Sequence, residues 1–306
     1  MKALEQLVVR ARSRYRRGRA RVGLGGRPSQ LVIRLDDLDA PVPLPSASLK
    51  LDDWLDAVVR VVEWSGALPV RVISRADHRL LCELVRFAHR LECPTSLRTT
   101  AFGMSAPRAD ELVDSGLDAV AVRVAGVTDA TQALLGEKAA DTWAAIEVLN
   151  AARASRGAKL DISLEVPFGP APARELRELI DAARRKGVDG VRVAAPWTGG
   201  AWDSGAIDAV AHVLEAAPFL RNGKGDVDTL RAFRGDAPGV KRGRGRCPVA
   251  STRLELLPDG SVGACPYKSG WVSLGDAMGP AWAALAGHRE QIQACDRACH
   301  HPELAS

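Results

Sequence analysis

Aromatic side chains make up only 5% of the 306 residues, and no cysteine precedes Cys82. No apolar run approaches the roughly 18–20 residues of a membrane span. The first apolar stretch, Leu7-Val8-Val9, is too short for the core of a secretory signal. These absences argue against a membrane-spanning or exported chain and lead to the expectation of a reducing, cytoplasmic setting. Nor does the chain need disulfide staples, because at this length folding buries roughly 75% of the surface the unfolded form exposes. What is present, 46% hydrophobic and 26% charged residues, is the composition of a globular protein.

The net charge of +5 is unevenly placed. Residues 1–30 hold nine basic side chains against Glu5 alone, so this segment carries +8 and the remainder −3. Basicity confined to one segment argues against a nucleic-acid surface spread over the fold. Leu4, Leu7, Val8 and Ala11 recur there at helical spacing, which predicts a helix with one apolar stripe and an arginine-rich face. Docking on the body of the protein, contact with an acidic protein or peptide, and contact with nucleic acid or an anionic membrane are all open to such a helix.

From residue 31 onward, short β-branched runs alternate with longer amphipathic stretches, the pattern of βα units around parallel strands. The expected strands are Leu31–Leu35, Pro69–Ile73, Thr95–Thr99, Ala119–Val124, Leu160–Val166 and Gly190–Ala195. Helices are expected at 50–65, 76–91, 106–116, 128–155, 171–187 and 203–216. Residues 218–246 are rich in glycine with little apolar periodicity and read as a connection. Beyond them, Arg253–Leu257 and the turn Pro258-Asp259-Gly260-Ser261 predict a hairpin, and a helix is expected at 279–294.

Four of the six cysteines fall in the last sixty residues, at Cys247, Cys265, Cys295 and Cys299. The hairpin turn lets Cys247 and Cys265 approach, and Cys295 and Cys299 stand four residues apart at a helix end. Four convergent thiolates suit a 4Fe–4S cluster or a structural zinc, and buried thiols without metal are the third reading. Zinc is disfavoured by the lack of tight Cys-x-x-Cys knuckles. Cys82 and Cys93 read as core residues.

The order Cys247, twelve residues, Gly260, four residues, Cys265, then Leu274-Gly275-Asp276, Trp282 and the pair Cys295/Cys299 resembles the SPASM/twitch domain of radical SAM enzymes. The shorter, twitch form fits better, because positions 286 and 289 are Ala and Arg. The resemblance implies a partial (β/α)6 barrel of radical SAM type over 31–217. It also implies a connection at 218–246 and a twitch-like domain at 247–306 that holds one auxiliary 4Fe–4S cluster, with the basic extension at 1–30 ahead of the barrel. The departure from the family lies in the loop after the first strand, where a Cys-x-x-x-Cys-x-x-Cys motif would bind the cluster that chelates S-adenosylmethionine. Here that loop reads Asp36-Asp37-Leu38-Asp39-Ala40-Pro41, and carboxylates and prolines do not replace three thiolates. After the second strand, Ser74-Arg75-Ala76-Asp77-His78 stands in place of Gly-Gly-Glu-Pro.

Two functional expectations follow. The first is a non-catalytic accessory protein that recognises a peptide, a carrier or an intact radical SAM enzyme. The second is an enzyme with a remodelled rim that binds S-adenosylmethionine or another small molecule without the radical cluster. For the second, the rim candidates are Asp37, Asp39, Asp77 and His78, with Asp36, Arg75, Thr99, Arg123 and Trp197 at other strand ends and Trp202 near the sixth strand. Such carboxylates with an imidazole suit a divalent cation, while helix capping and solvated loop charge are their ordinary roles. Catalytic residues are not assigned.

Overall fold

In a computed structural model of the chain, the described residues are 27–38, 44, 45, 48–167, 169–194, 210–213, 219, 221, 253–265, 272–275 and 278–285. They fall into two compact units. The first comprises residues to Arg98, Glu111–Asp118 and those from 253 to 285, and the second comprises Thr99–Asp110 and those from Ala119 to 221. The basic extension, Asp39, Trp197, Trp202, Cys247, Cys295 and Cys299 lie outside the described residues.

The first unit is built on β1 (Gln30–Arg34), β2 (Val70–Ile73) and β3 (Thr95–Thr99), paired in parallel as β3-β2-β1. On the other side of β1 comes β7 (Arg253–Leu256), also parallel, followed by the antiparallel strands β8 (Ser261–Gly263) and β9 (Val272–Ser273). Helix α1 (Leu51–Ser65) follows β1 and buries Trp54, Leu55, Val58, Val59, Val61 and Val62. Helix α2 (Leu81–Arg90) follows β2 and buries Leu81, Cys82, Leu84, Val85, Phe87 and Ala88. A stripe at i, i+3, i+4 spacing packed on a sheet is the main source of a helix's stability in a protein. Between β3 and β4 runs α3 (Ala106–Asp114).

The second unit holds β4 (Ala119–Arg123), β5 (Asp161–Pro167) and β6 (Gly190–Ala194), again parallel and in that order. Its helices are α4 (Asp129–Gln132), a 3-10 turn at Ala133–Leu135, α5 (Ala139–Ser155) and α6 (Pro170–Arg185). Thus the described chain is mixed α/β: the six βα strands that the periodicity predicts, β1–β6, are paired in parallel, three in each unit, and β7 adds a further parallel strand beside β1. Among the described residues, no helix is long and apolar enough to cross a membrane.

Two helical expectations are corrected. The stretch 128–155 is not one helix: it breaks at Gly136, whose φ of +73° is left-handed, a conformation that glycine adopts without a Cβ clash. Asp129 then accepts a hydrogen bond from Ala139 N at 2.8 Å, which orders the start of α5. The helix expected from 76 begins at Leu81, because Ser74–Leu80 is held in turns. His78 N donates to Arg75 O at 3.3 Å and Leu80 N to the His78 ring nitrogen Nδ1 at 3.3 Å.

The predicted hairpin is present, with Leu256 opposite Val262 and Gly260 N donating to Leu257 O at 2.9 Å. Its turn reaches the segment after β1, where Leu49 N donates to Pro258 O at 2.7 Å. Helix α7 (Met278–Ala284) carries Trp282, whose ring centroid lies 5.9 Å from that of Trp64 on α1. The Arg27 guanidinium sits over the same Trp64 ring at 5.2 Å, a cation–π contact.

Candidate functional site

Strand side chains alternate between faces, so the register sorts the residues of each unit. In the first unit Leu31, Ile33, Val70, Val72, Leu97, Leu254 and Leu256 share one face, and each is at most 1% exposed. The other face carries Gln30, Val32 and Arg34 from β1, Arg71 and Ile73 from β2, and Ser96 and Arg98 from β3. Arg253 and Glu255 join it from β7. Buried sheet faces are ordinarily filled by aliphatic side chains, and this face is filled largely by charge.

Those charges are buried. Arg34 and Glu255 are each 1% exposed, Arg253 is 2% and Arg98 is 4%. Glu255 joins the group: Arg34 Nε donates to its Oε2 at 3.2 Å, and Arg253 Nη2 lies 2.6 Å from its Oε1. A buried carboxylate is tolerable only with such partners, since desolvating a lone charge costs several kcal/mol, of order.

The second unit repeats the arrangement. Arg123, Glu165 and Arg192 stand side by side on β4, β5 and β6, with 3.9 Å between Arg123 Nε and Glu165 Oε1. The opposite face holds Val120, Val122, Ile162, Leu164, Val191 and Val193, all buried. Just past β4, four consecutive backbone N–H groups are taken by two side chains. Ala125 and Gly126 donate to Gln132 Oε1 at 2.9 and 3.4 Å, and Val127 and Thr128 donate to Glu175 Oε2 at 2.7 and 3.1 Å. Glu175 also accepts from the hydroxyls of Thr128 and Thr131. Its burial opposes ionisation, but the hydroxyl and backbone donors outweigh that and hold the carboxyl below its ordinary value. Glu137 ties the neighbouring loop by accepting from Phe102 N at 2.9 Å.

Of the rim residues expected from the sequence, the structure brings Asp36, Arg75, Asp77 and His78 together. Asp36 Oδ2 accepts from Ser74 Oγ at 3.0 Å and from Arg75 N at 2.8 Å, joining the ends of β1 and β2. Arg75 and Asp77 form a half-exposed ion pair at 3.3 Å. Thr99 is fully buried and donates to Thr100 O at 3.1 Å, so it is a closing residue of β3. Among the described residues no cluster of three His, Cys, Asp or Glu side chains is arranged to hold a metal ion. Asp36 is instead spent on the β2 loop. Of the four cysteines, Cys265 is described: it follows β8 and is 5% exposed. Cys82 and Cys93 are buried, and desolvation pushes the Cys93 thiol up from its ordinary value.

Burial holds the His78 imidazole below its ordinary value. Arg79 and Arg75 add to this, and Asp36 and Asp77 oppose it. The folded chain therefore prefers the neutral ring, and the stability this contributes is present above the unfolded value of about 6.5. It is lost as pH falls through the folded value. In an NMR titration the His78 midpoint is expected below 6.5, and His78→Asn should flatten the loss of stability that sets in as pH falls below about 6.5. A midpoint above 6.5 would refute the assignment.

Sequence reading singled out Arg123 and missed Arg34, Arg98, Glu165, Arg192, Arg253 and Glu255. A signal was available, since each is the charged member of an alternating strand such as Val-Ile-Arg or Ser-Leu-Glu. The pairing of Arg34 with Glu255 was not available, because 221 positions separate them.

No protein-family model matches the chain, and no curated protein matches it. Solved structures do. Streptococcus suis SuiB bound to S-adenosylmethionine matches with a TM-score of 0.60 at 15% identity, over 84% of this chain and 64% of that one. SuiB bound to the precursor peptide SuiA gives 0.64 at 12%, over 91% and 73%. Native anSMEcpe with bound AdoMet gives 0.59 at 12%, over 87% and 82%. The chain thus spans about 64% of the length of SuiB in its S-adenosylmethionine complex. These neighbours are radical SAM enzymes, and at such identities the likeness is one of fold.

Proposed function

We propose that this chain is a degenerate radical SAM-like protein, a partial (β/α)6 barrel with a twitch-like C-terminal segment at 247–306. In this reading it acts as a non-catalytic accessory protein that recognises a peptide, a carrier or an intact radical SAM enzyme. The observation that carries the reading is the end of β1. The loop there holds no thiol, and its first carboxylate, Asp36, is bonded into the β2 loop through Ser74 and Arg75. These residues do not fit the cluster that cleaves S-adenosylmethionine. Peptide recognition draws support from the fold shared with SuiB bound to a precursor peptide and with anSMEcpe bound to the Cp18Cys peptide.

Cys247, Cys265, Cys295 and Cys299 would hold one auxiliary 4Fe–4S cluster. Cys265 fits this role as a thiol kept from solvent at the end of a hairpin. A cluster bound there supplies cross-linking of the segment or one-electron transfer. The rest of the protein's part, holding and orienting a partner, falls to the strand ends. A second reading, an enzyme that binds S-adenosylmethionine or another small molecule at a remodelled rim, is favoured by the charged strand faces around Arg34 and Glu165.

Anaerobic purification with iron, sulfide and zinc analysis tests the proposal. About four irons and four sulfides per chain are expected, lost in Cys265→Ala and Cys247→Ala. Dithionite with S-adenosylmethionine should yield no 5′-deoxyadenosine. Stoichiometric zinc without iron would sink the cluster, about eight irons would show a second one, and turnover of S-adenosylmethionine would sink the accessory role.

A further inference from the structure

We propose that the charged strand face of the first unit binds an oxyanion, a carboxylate or a phosphate, through Arg34 and Arg98. The inference goes beyond the accessory role and does not depend on it. Arg34 is the last residue of β1 and is 1% exposed. Its Nε serves Glu255, while its Nη1 is buried with no acceptor among the described residues. A buried donor left unmade is destabilising, the more so when it is charged. Arginine cannot escape that cost by losing its proton.

Arg98 stands on the same row, since Arg34 pairs with Ile73 and Ile73 with Arg98. Two strand spacings place the two backbones roughly 10 Å apart, with the compact side chain of Ile73 between them. On this face Glu255 is the one acid among the described strand residues, set against Arg34, Arg71, Arg98 and Arg253. Both Arg34 and Arg98 lie at the C-terminal ends of parallel strands, where α/β folds receive their ligands. The planar guanidinium fork matches a carboxylate or phosphate oxygen pair, and this sets the ligand class. The site differs from the carboxylate-bearing rim at Asp36 and Asp77, which would repel an anion.

Calorimetric titration of the full chain with inorganic phosphate, and separately with acetate, at constant ionic strength made up with chloride, tests the proposal and separates its two sources. Saturable binding of one of them is expected, weakened about tenfold or more in Arg34→Lys, which keeps the charge beside Glu255 but loses the fork. Arg98→Gln should weaken it likewise, and Arg86→Ala on α2, paired there with Glu83, should leave it unchanged. Circular dichroism confirms folding of each variant, and Arg98→Gln carries the test if Arg34→Lys does not fold. Absence of binding by either anion, or affinity unchanged in the folded variants, would overturn the proposal. Iron content is a separate readout, so failure here and failure of the cluster assignment are told apart.

Discussion

Glu255→Leu is expected to lower stability by about 3–5 kcal/mol, the usual cost of removing one partner from a buried ion group. It would leave the guanidiniums of Arg34 and Arg253, 1% and 2% exposed, without the carboxylate they share. At roughly 2–4 °C per kcal/mol for a domain of this size, the melting temperature should fall by about 10 °C. The damage should be local in origin but global in effect, because β1 lies between β2 and β7 and Glu255 is where β7 meets Arg34. Replacing all three, as Arg34→Met, Arg253→Leu and Glu255→Leu together, should recover much of the loss, since an apolar set of similar volume removes the desolvation cost. Chemical denaturation of the single and triple variants measures both. A single variant within 1 kcal/mol of the parent, roughly the size of an exposed pair, would show that the group is hydrated.

Gly126→Ala should cost about 2–3 kcal/mol by overpacking and loss of hydrogen bonds. A Cβ at Gly126 would stand 2.4 Å from Glu175 Oε2 and 2.6 Å from the Thr131 methyl. The carboxylate would have to leave, releasing Val127 N, Thr128 N and the two threonine hydroxyls together. Glu175→Gln removes the same charge by another route, so the two substitutions should be far from additive. A double-mutant cycle should return a coupling of about 1 kcal/mol or more. Additivity would mean that the loop after β4 does not depend on this carboxylate. The parent should also lose stability as pH falls below the ordinary carboxylate range, because the folded state binds that proton less readily. Glu175→Gln should blunt this loss.

The strands were legible because their signal is local. Thr95–Thr99 is where alternation places it, and β1, β2, β4, β5 and β6 begin and end within one residue of expectation. Helices were legible as elements and less so at their ends. Gly136 interrupts 128–155 through a backbone angle, and the start of α2 is delayed by side chains of Ser74 and His78 that bond elsewhere. The candidate site was half legible. Asp36, Arg75, Asp77 and His78 meet because they close neighbouring strands, and chain order announces that. Glu175 and Gln132, which hold the loop after β4, carry no mark in the sequence beyond being polar residues on helices.

Local pattern was enough for the α/β class, for the hairpin around Gly260 and for the missing thiols after β1, since each follows from residue type and near spacing. Folding added the contacts between distant segments: β7 beside β1, the turn at Pro258 against Leu49, and Glu255 between Arg34 and Arg253. A charged strand residue has the same chemistry whether it faces water or a sheet interior. Which of the two it faces depends on the register of the strands that flank it, and Arg34 is a buried cation because β2 and β7 flank β1 and set Glu255 against it.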